Sequence, residues 1–167
     1  VSGVPWKYIL GALGIGMLVL TVFAFTRPYL MKRITTFMDP AQDLQGSSFQ
    51  LRQSLIAIGS GGVFGRGLGQ SVQKFTYLPE PQGDSIFAVI SEETGFVGAL
   101  IVIVLYAAFA MRGLRIASRA PDAFGRLLGV GLVILLTAQS FLNIASITGL
   151  FPLTGVPLVF VGQGGTS

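Results

Sequence analysis

The sequence predicts an all-α polytopic membrane protein, and three observations carry that prediction. Of the 167 residues 51% are hydrophobic and only 11% are charged, where a soluble domain carries about 25% charge. Mean hydropathy is +0.73. The apolar residues are gathered in blocks: Tyr8–Phe25 and Thr94–Met111 are each 18 residues without a charge, and Leu127–Ile147 is 21. About 20 apolar residues in a helix cross the hydrocarbon core. The expected architecture is a fragment with three transmembrane helices (6–26, 85–111 and 127–147) in one membrane domain. A large extracellular loop with interfacial helices (27–84), a cytoplasmic loop (112–126) and a re-entrant extracellular segment (148–167) complete it.

The first block is not a signal peptide, because it lacks a small-residue cleavage site and further membrane segments follow it. The chain starts on Val1 and stops on "GQGGTS" with no polar tail, which points to a piece of a longer protein. Orientation follows from Lys and Arg in short loops. The connection "RGLRIASRAPDAFGR" holds Arg112, Arg115, Arg119 and Arg126 against a lone Asp122, so it is expected in the cytoplasm. Lys7 falls on the same side. The segment from about Thr26 to Asp84 then lies outside, although Arg27, Lys32 and Arg33 stand close to a membrane exit.

That outer segment is too long to be structureless. "RPYLMKRITTFMDPAQD" sets Tyr29, Leu30, Ile34, Phe37 and Met38 on an amphipathic pattern, as in a helix lying in the membrane interface, and Asp39-Pro40 ends it. "SSFQLRQSLIAIGSGG" opens on serine caps and continues with Leu51, Leu55 and Ile58 at helical spacing. Gln50, Arg52, Gln53 and Ser54 fall on its other faces, which reads as a surface helix with a solvated polar side. In "GSGGVFGRGLGQS" glycine stands at 59, 61, 62, 65, 67 and 69. The spacing fits neither nucleotide-binding glycine motif, so a flexible or tightly packed turn is expected. Arg66 and Lys74 nevertheless place cations beside backbone that could face a pyrophosphate.

The third apolar block carries Gln139 and Asn143 one turn apart, a spacing that suits hydrogen bonding between membrane helices. After it, "TGLFPLTGVPLVFVGQGGTS" is too rich in Pro and Gly for a straight helix. At membrane depth such backbone must be buried in protein or line a cavity.

The chain has no Cys and no His. Disulfides, a thiol nucleophile, imidazole proton transfer and the usual zinc sites are therefore excluded, and acid–base chemistry falls to Asp, Glu, Lys or Tyr. Neither a protein metal site nor a nucleic-acid partner is expected. Of only seven Asp and Glu residues, Glu80, Asp84, Glu92 and Glu93 cluster in "YLPEPQGDSIFAVISEETG", at the mouth of the second apolar block. Pro79 and Pro81 stiffen the approach and Gly83 permits a sharp turn. By local pattern Asp84 is an N-cap. Glu92 and Glu93 lie about two turns further on, roughly 10–12 Å along the helix. They differ by about 100° round its axis, so one of them is expected to meet Arg52, Arg66, Lys74 or a polar cavity. Acidic groups inside a membrane segment are functional candidates, with helix-end solvation the simpler alternative.

"GSGGVFGRGLGQSVQKFTYLPEPQGDSIFAVISEETGFVG", followed by "NIASITGLFPLTGVPLVFVGQGGTS", resembles the SEDS family of FtsW, RodA and SpoVE. The resemblance spans nearly the whole chain, and "SVQKFTYLPEP" with the closing "GGTS" is most like the FtsW/SpoVE division and sporulation branch. It implies a ten-helix protein, of which this chain is similar to about the seventh to ninth helices. It further implies polymerisation of lipid II into glycan strands on the outer face of the bacterial cytoplasmic membrane, at the division septum. The implied partners are a class B penicillin-binding protein and other membrane proteins of the division machinery. The acid of the family's L-P-E-x-x-x-D motif falls on Asp84, which the resemblance makes the general base on the acceptor hydroxyl. Arg52, Arg66, Lys74, Glu80, Glu92 and Asn143 are the candidate substrate-binding residues, with Mg or Mn as a possible divalent helper. Gln82-Gly83 replaces the His-Thr of many members, Gln163 the tyrosine of S-Y-G-G-S-S, and Val159 a proline. A lipid II transporter, or a scaffold that activates the penicillin-binding protein, are the alternative roles.

Overall fold

A computed structural model of the chain describes residues 5–26, 47–71 and 83–161. Among these residues the structure is helical, without strands: α1 (Trp6–Thr26), α2 (Ser47–Ser60), α3 (Ile86–Ser118) and α4 (Ala123–Ile147). The expected interfacial helix near 27–43, together with Lys74, Glu80, Gln82 and Gln163, lies outside the described residues.

α1 is apolar all round, and Leu10, Leu13, Ile15, Met17 and Leu18 stand exposed on it, the surface of a helix whose neighbours are lipid or other helices. Its Thr21 hydroxyl is satisfied internally, donating to the Met17 carbonyl at 2.7 Å. α3 and α4 are each long and apolar enough to cross a membrane. They pack against each other from end to end of a hairpin, and small residues set the closeness: a Cβ on Gly113 would press on Val133, and one on Gly129 on Ala117.

The turn of that hairpin is much shorter than the 112–126 loop the charges suggest. α3 runs to Ser118 and α4 begins at Ala123, so Arg112 and Arg115 ride on the last turns of α3 and Arg126 on the first turn of α4. Charge marks where a chain can leave hydrocarbon; a helix continues beyond that point because long side chains carry their heads to water. Asp122 is the N-cap of α4, its carboxylate accepting from the Gly125 N–H at 2.6 Å.

α2 corrects the sequence reading in part. Leu51 and Ile58 pack on the core as their spacing predicts, but the fully buried positions are Ser48, Ser54 and Ala57, continued by Gly61, while Leu55 is exposed. The small residues face the protein because they let backbones approach: a Cβ on Gly61 would collide with the Ser91 carbonyl of α3. The core runs from Ala57 through Phe87, Ala88 and Val89 of α3 to Ile144 and Ile147 of α4, with Leu153 and Leu158 beyond.

α4 ends where Gly149 takes φ +78° and the Leu150 N–H returns to the Ala145 carbonyl at 2.8 Å, a left-handed helix stop. The segment 150–161 has no regular structure and folds back along α3. There Tyr106 donates its hydroxyl to the Val159 carbonyl, and the rings of Phe109 and Phe160 meet edge to face at 5.5 Å. Tyr106 lies about 16 Å along α3 from Gly95, so the irregular backbone reaches well into the apolar span, with Leu153, Leu158 and Val159 buried while Phe151, Phe160 and Val161 stay exposed.

Candidate active site

α3 is not one straight rod. Gly95 has φ 70° and ψ −165°, a conformation open in practice only to glycine, and it divides the helix into 86–94 and 96–118. Just before it Thr94 folds its hydroxyl onto the Ile90 carbonyl at 2.7 Å, a bond that bends helices. A break of this kind strands backbone donors and acceptors, and the glycine-rich loop after α2 takes up both. The Glu92 and Glu93 carbonyls accept from Arg66 N–H (3.0 Å) and Gly67 N–H (3.1 Å); Phe96 N–H and Val97 N–H donate to the Gly62 carbonyl (2.9 Å) and the Val63 carbonyl (3.2 Å). The loop is thus the tightly packed turn, spliced into the helix. Gly65 must be glycine on two counts: its φ is +82°, and a Cβ would strike the Glu93 carbonyl.

Glu92 sits at this splice with no exposed surface. Ser71 donates its hydroxyl to Glu92 Oε2 at 2.5 Å, and the Arg66 guanidinium, 44% exposed, stands 3.6 Å from Oε1. One of the expected cations therefore does meet Glu92, and the pair closes the loop over the break. Glu93 turns elsewhere, its Oε1 buried with no donor among the described residues.

Asp84 lies about 12 Å away along α3, half-buried where the three packed helices converge. It does not cap the helix. Ser85 occupies that position, without a side-chain capping bond. The Asp84 carboxylate instead accepts at Oδ1 from Gln50 Nε2 of α2 at 3.1 Å, and the same nitrogen donates to Ser85 Oγ at 3.1 Å. From the other side Asn143 of α4 spends both amide hydrogens on backbone, on the Asp84 carbonyl at 2.9 Å and the Val156 carbonyl at 2.7 Å. Its own carbonyl oxygen is buried without a partner among the described residues. The helix mouth, α2, α4 and the returning segment are thereby tied to one acidic residue. No described donor reaches Asp84 Oδ2.

The structure thus gathers Asp84 and Asn143 in one place, puts Glu92 and Arg66 in a second cluster on the same helix, and leaves Arg52 exposed on α2. Gln50, Ser71 and Ser85 were not picked out from sequence. Gln50 read as part of a solvated face, and nothing in its local spacing marks a partner 34 positions away. Among the described residues no three Asp or Glu side chains come together to hold a metal. A cavity of about 250 Å³ between α4 and the returning segment is lined by Leu135, Ala138, Gln139, Leu142, Thr154 and Val156, so Gln139 turns to a different space from Asn143.

Comparison with known proteins bears on the chain as a whole. The profile of the FtsW, RodA and SpoVE family, described as cell cycle protein, matches residues 1–167. "Stage V sporulation protein E" of Bacillus subtilis (strain 168) is 48% identical over 158 residues, covering 95% of this chain and 43% of the relative. "Probable peptidoglycan glycosyltransferase FtsW" of Geobacter sp. (strain M18) is 42% identical over 166 residues, covering 99% of this chain and 45% of the relative. A solved chain from work on "structural coordination of polymerization and crosslinking by a peptidoglycan synthase complex" superposes with a TM-score of 0.68 at 26% identity, over 98% of this chain and 45% of that one. The chain spans less than half the length of these relatives. With its apolar spanning helices, broken third helix and returning C-terminal segment, it is an all-α integral membrane protein that belongs to the FtsW, RodA and SpoVE family.

Proposed function

We propose that this chain carries the catalytic base of a peptidoglycan glycosyltransferase, which joins lipid II units into glycan strands at the outer face of the cytoplasmic membrane during division. The relatives' names support the reaction class. The observation that carries the residue assignment is the tethering of Asp84: one carboxylate oxygen is held by Gln50 and the backbone is held by Asn143, while the other oxygen is left for a substrate hydroxyl.

In the proposed step Asp84 Oδ2 takes the proton of the acceptor sugar's hydroxyl as that oxygen attacks the donor's anomeric carbon. A C–O bond forms there, the C–O bond to the diphosphate breaks, and undecaprenyl diphosphate leaves with the electron pair. A diphosphate is a good leaving group, so one base is enough and no protein acid is required. Arg66, half-exposed at the loop splice, Arg52 and Lys74 are the cations offered to the departing charge. A divalent ion, Mg or Mn, would when bound add positive charge at the departing diphosphate, and no step of the proposal runs through it. The proposed partner is a class B penicillin-binding protein, with the polar outer segment as its docking surface.

The test is polymerisation of purified lipid II by the full-length protein with that partner. Asp84→Ala and Asp84→Asn are expected to lower polymer yield at least about 100-fold while insertion and co-purification survive. Undiminished polymer from Asp84→Asn overturns the assignment. Flipping of lipid II measured in liposomes separates the transport role, which requires the variant to fail there and polymerise normally. A scaffold role requires co-purification with neither activity present in the unmodified protein.

A further inference from the structure

We infer that Gln50 is the positioning residue of Asp84, setting which carboxylate oxygen faces the substrate and keeping its lone pair aimed at the acceptor hydroxyl. The inference rests on the reading of Asp84 as the base. Gln50 comes from α2, and its amide nitrogen has two hydrogens with two separate uses. One goes to Asp84 Oδ1 and the other to Ser85 Oγ, each at 3.1 Å. A donor anchored at two points cannot follow the carboxylate if it turns about its last bond, so the pair of bonds selects one orientation of the carboxylate plane. Proton abstraction needs that selection, because the receiving oxygen must lie within hydrogen-bond reach of the hydroxyl and in line with it.

The anchor point is itself fixed. Ser85 is fully buried, and Ser54 and Ala57 of α2 are buried against the rest of the core, so Gln50 stands on a helix that does not slide. Asn143 does the same for the main chain of Asp84; only Gln50 among the described residues acts on its carboxylate. Few charges intrude. The returning segment 148–161 has no titratable side chain and α4 only Arg126, at its opposite end. Arg52 of α2 lies two positions from Gln50, pointing away round the helix. Glu92 and Glu93 of α3 are two turns off, with Glu92 engaged by Arg66 and Ser71.

Steady-state polymerisation by the full-length protein with its partner tests the inference, with Asp84→Asn as control. Gln50→Leu, which keeps the bulk and removes both donors, is expected to lower kcat about 10- to 100-fold with KM for lipid II changed less than about twofold. Gln50→Glu keeps the shape but sets a second carboxylate against the first. The two then compete for one proton, and the acidic limb of kcat against pH moves up by about one unit or more. A packing defect would not move that limb. Ser85→Ala frees one end of the anchor without touching Asp84 and is expected to cost about threefold to tenfold in kcat; it covers the case in which a Gln50 variant fails to fold. Wild-type kcat and an unshifted pH profile in these variants, beside an inactive Asp84→Asn, overturn this inference alone. A fully active Asp84→Asn overturns the reading of the base and this inference with it.

Discussion

Two amides, Gln50 and Asn143, hold the acid of this site from opposite directions, and their consequences differ. Asn143 bonds main chain only, so its loss is felt as stability before chemistry. Asn143→Leu strips donors from the carbonyls of Asp84 and Val156, and about 2 kcal/mol of destabilisation is expected, read as a lowered Tm of the detergent-solubilised full-length protein. An unchanged Tm would show that the amide is not engaged. Ser71→Ala removes the hydroxyl bonded to the Glu92 carboxylate inside a sealed cluster and should cost about 1.5–3 kcal/mol; proteolysis within the loop after α2, faster than in the unmodified protein, is the accompanying sign. Asp84, Glu92 and Asn143 were legible in the sequence because polar groups are scarce in so apolar a chain and therefore conspicuous. Gln50 was not. It lies in the polar half of a short helix where several such residues are ordinary, and its partner is 34 positions away, a pairing that only the packing of α2 on α3 creates.

At the level of elements, the informative feature is the break in α3. Sequence pattern predicts a single helix over 85–111, and the structure has one from Ile86 to Ser118 divided at Gly95. The glycine gave no warning, since glycine is common within membrane helices and stands at the start of an uncharged run. The loop's glycines were recognised as either loose or tightly packed, and the choice between the two needed the complementary break. Gly95→Ala is expected to be among the most damaging single changes in the chain. Its backbone angles exclude a side chain, with a cost of about 1–3 kcal/mol, and the added Cβ would collide with the Val63 carbonyl and Gly65. Loss of folded protein by size-exclusion chromatography after detergent extraction is the expected outcome; a normally folded, normally active variant would mean that the loop and helix do not interlock as described.

For the molecule as a whole, apolar length alone disclosed the membrane class, and the alternation of charge predicted a topology that labelling can check. The segment contains no cysteine, so single cysteines placed at 68, on the loop, and at 120, in the α3–α4 turn, report opposite sides. An impermeant maleimide is expected to reach the first from outside intact cells and the second only after permeabilisation; labelling of 120 alone in intact cells would invert the site and remove a lipid-linked outer substrate. The large exposed apolar faces of α1, α3 and α4 were predictable in amount but not in location, because outward and inward surfaces of a membrane helix are both apolar. The splice at Gly95 also imposes an order of manufacture. The glycine-rich loop precedes in the chain the helix that receives it, so its amides and carbonyls cannot find these partners until that helix is made. Only when the ribosome has delivered residues 92 to 97 can loop and helix close on each other, and a nascent chain paused short of that point has no assembled acid centre with which to act on a passing lipid.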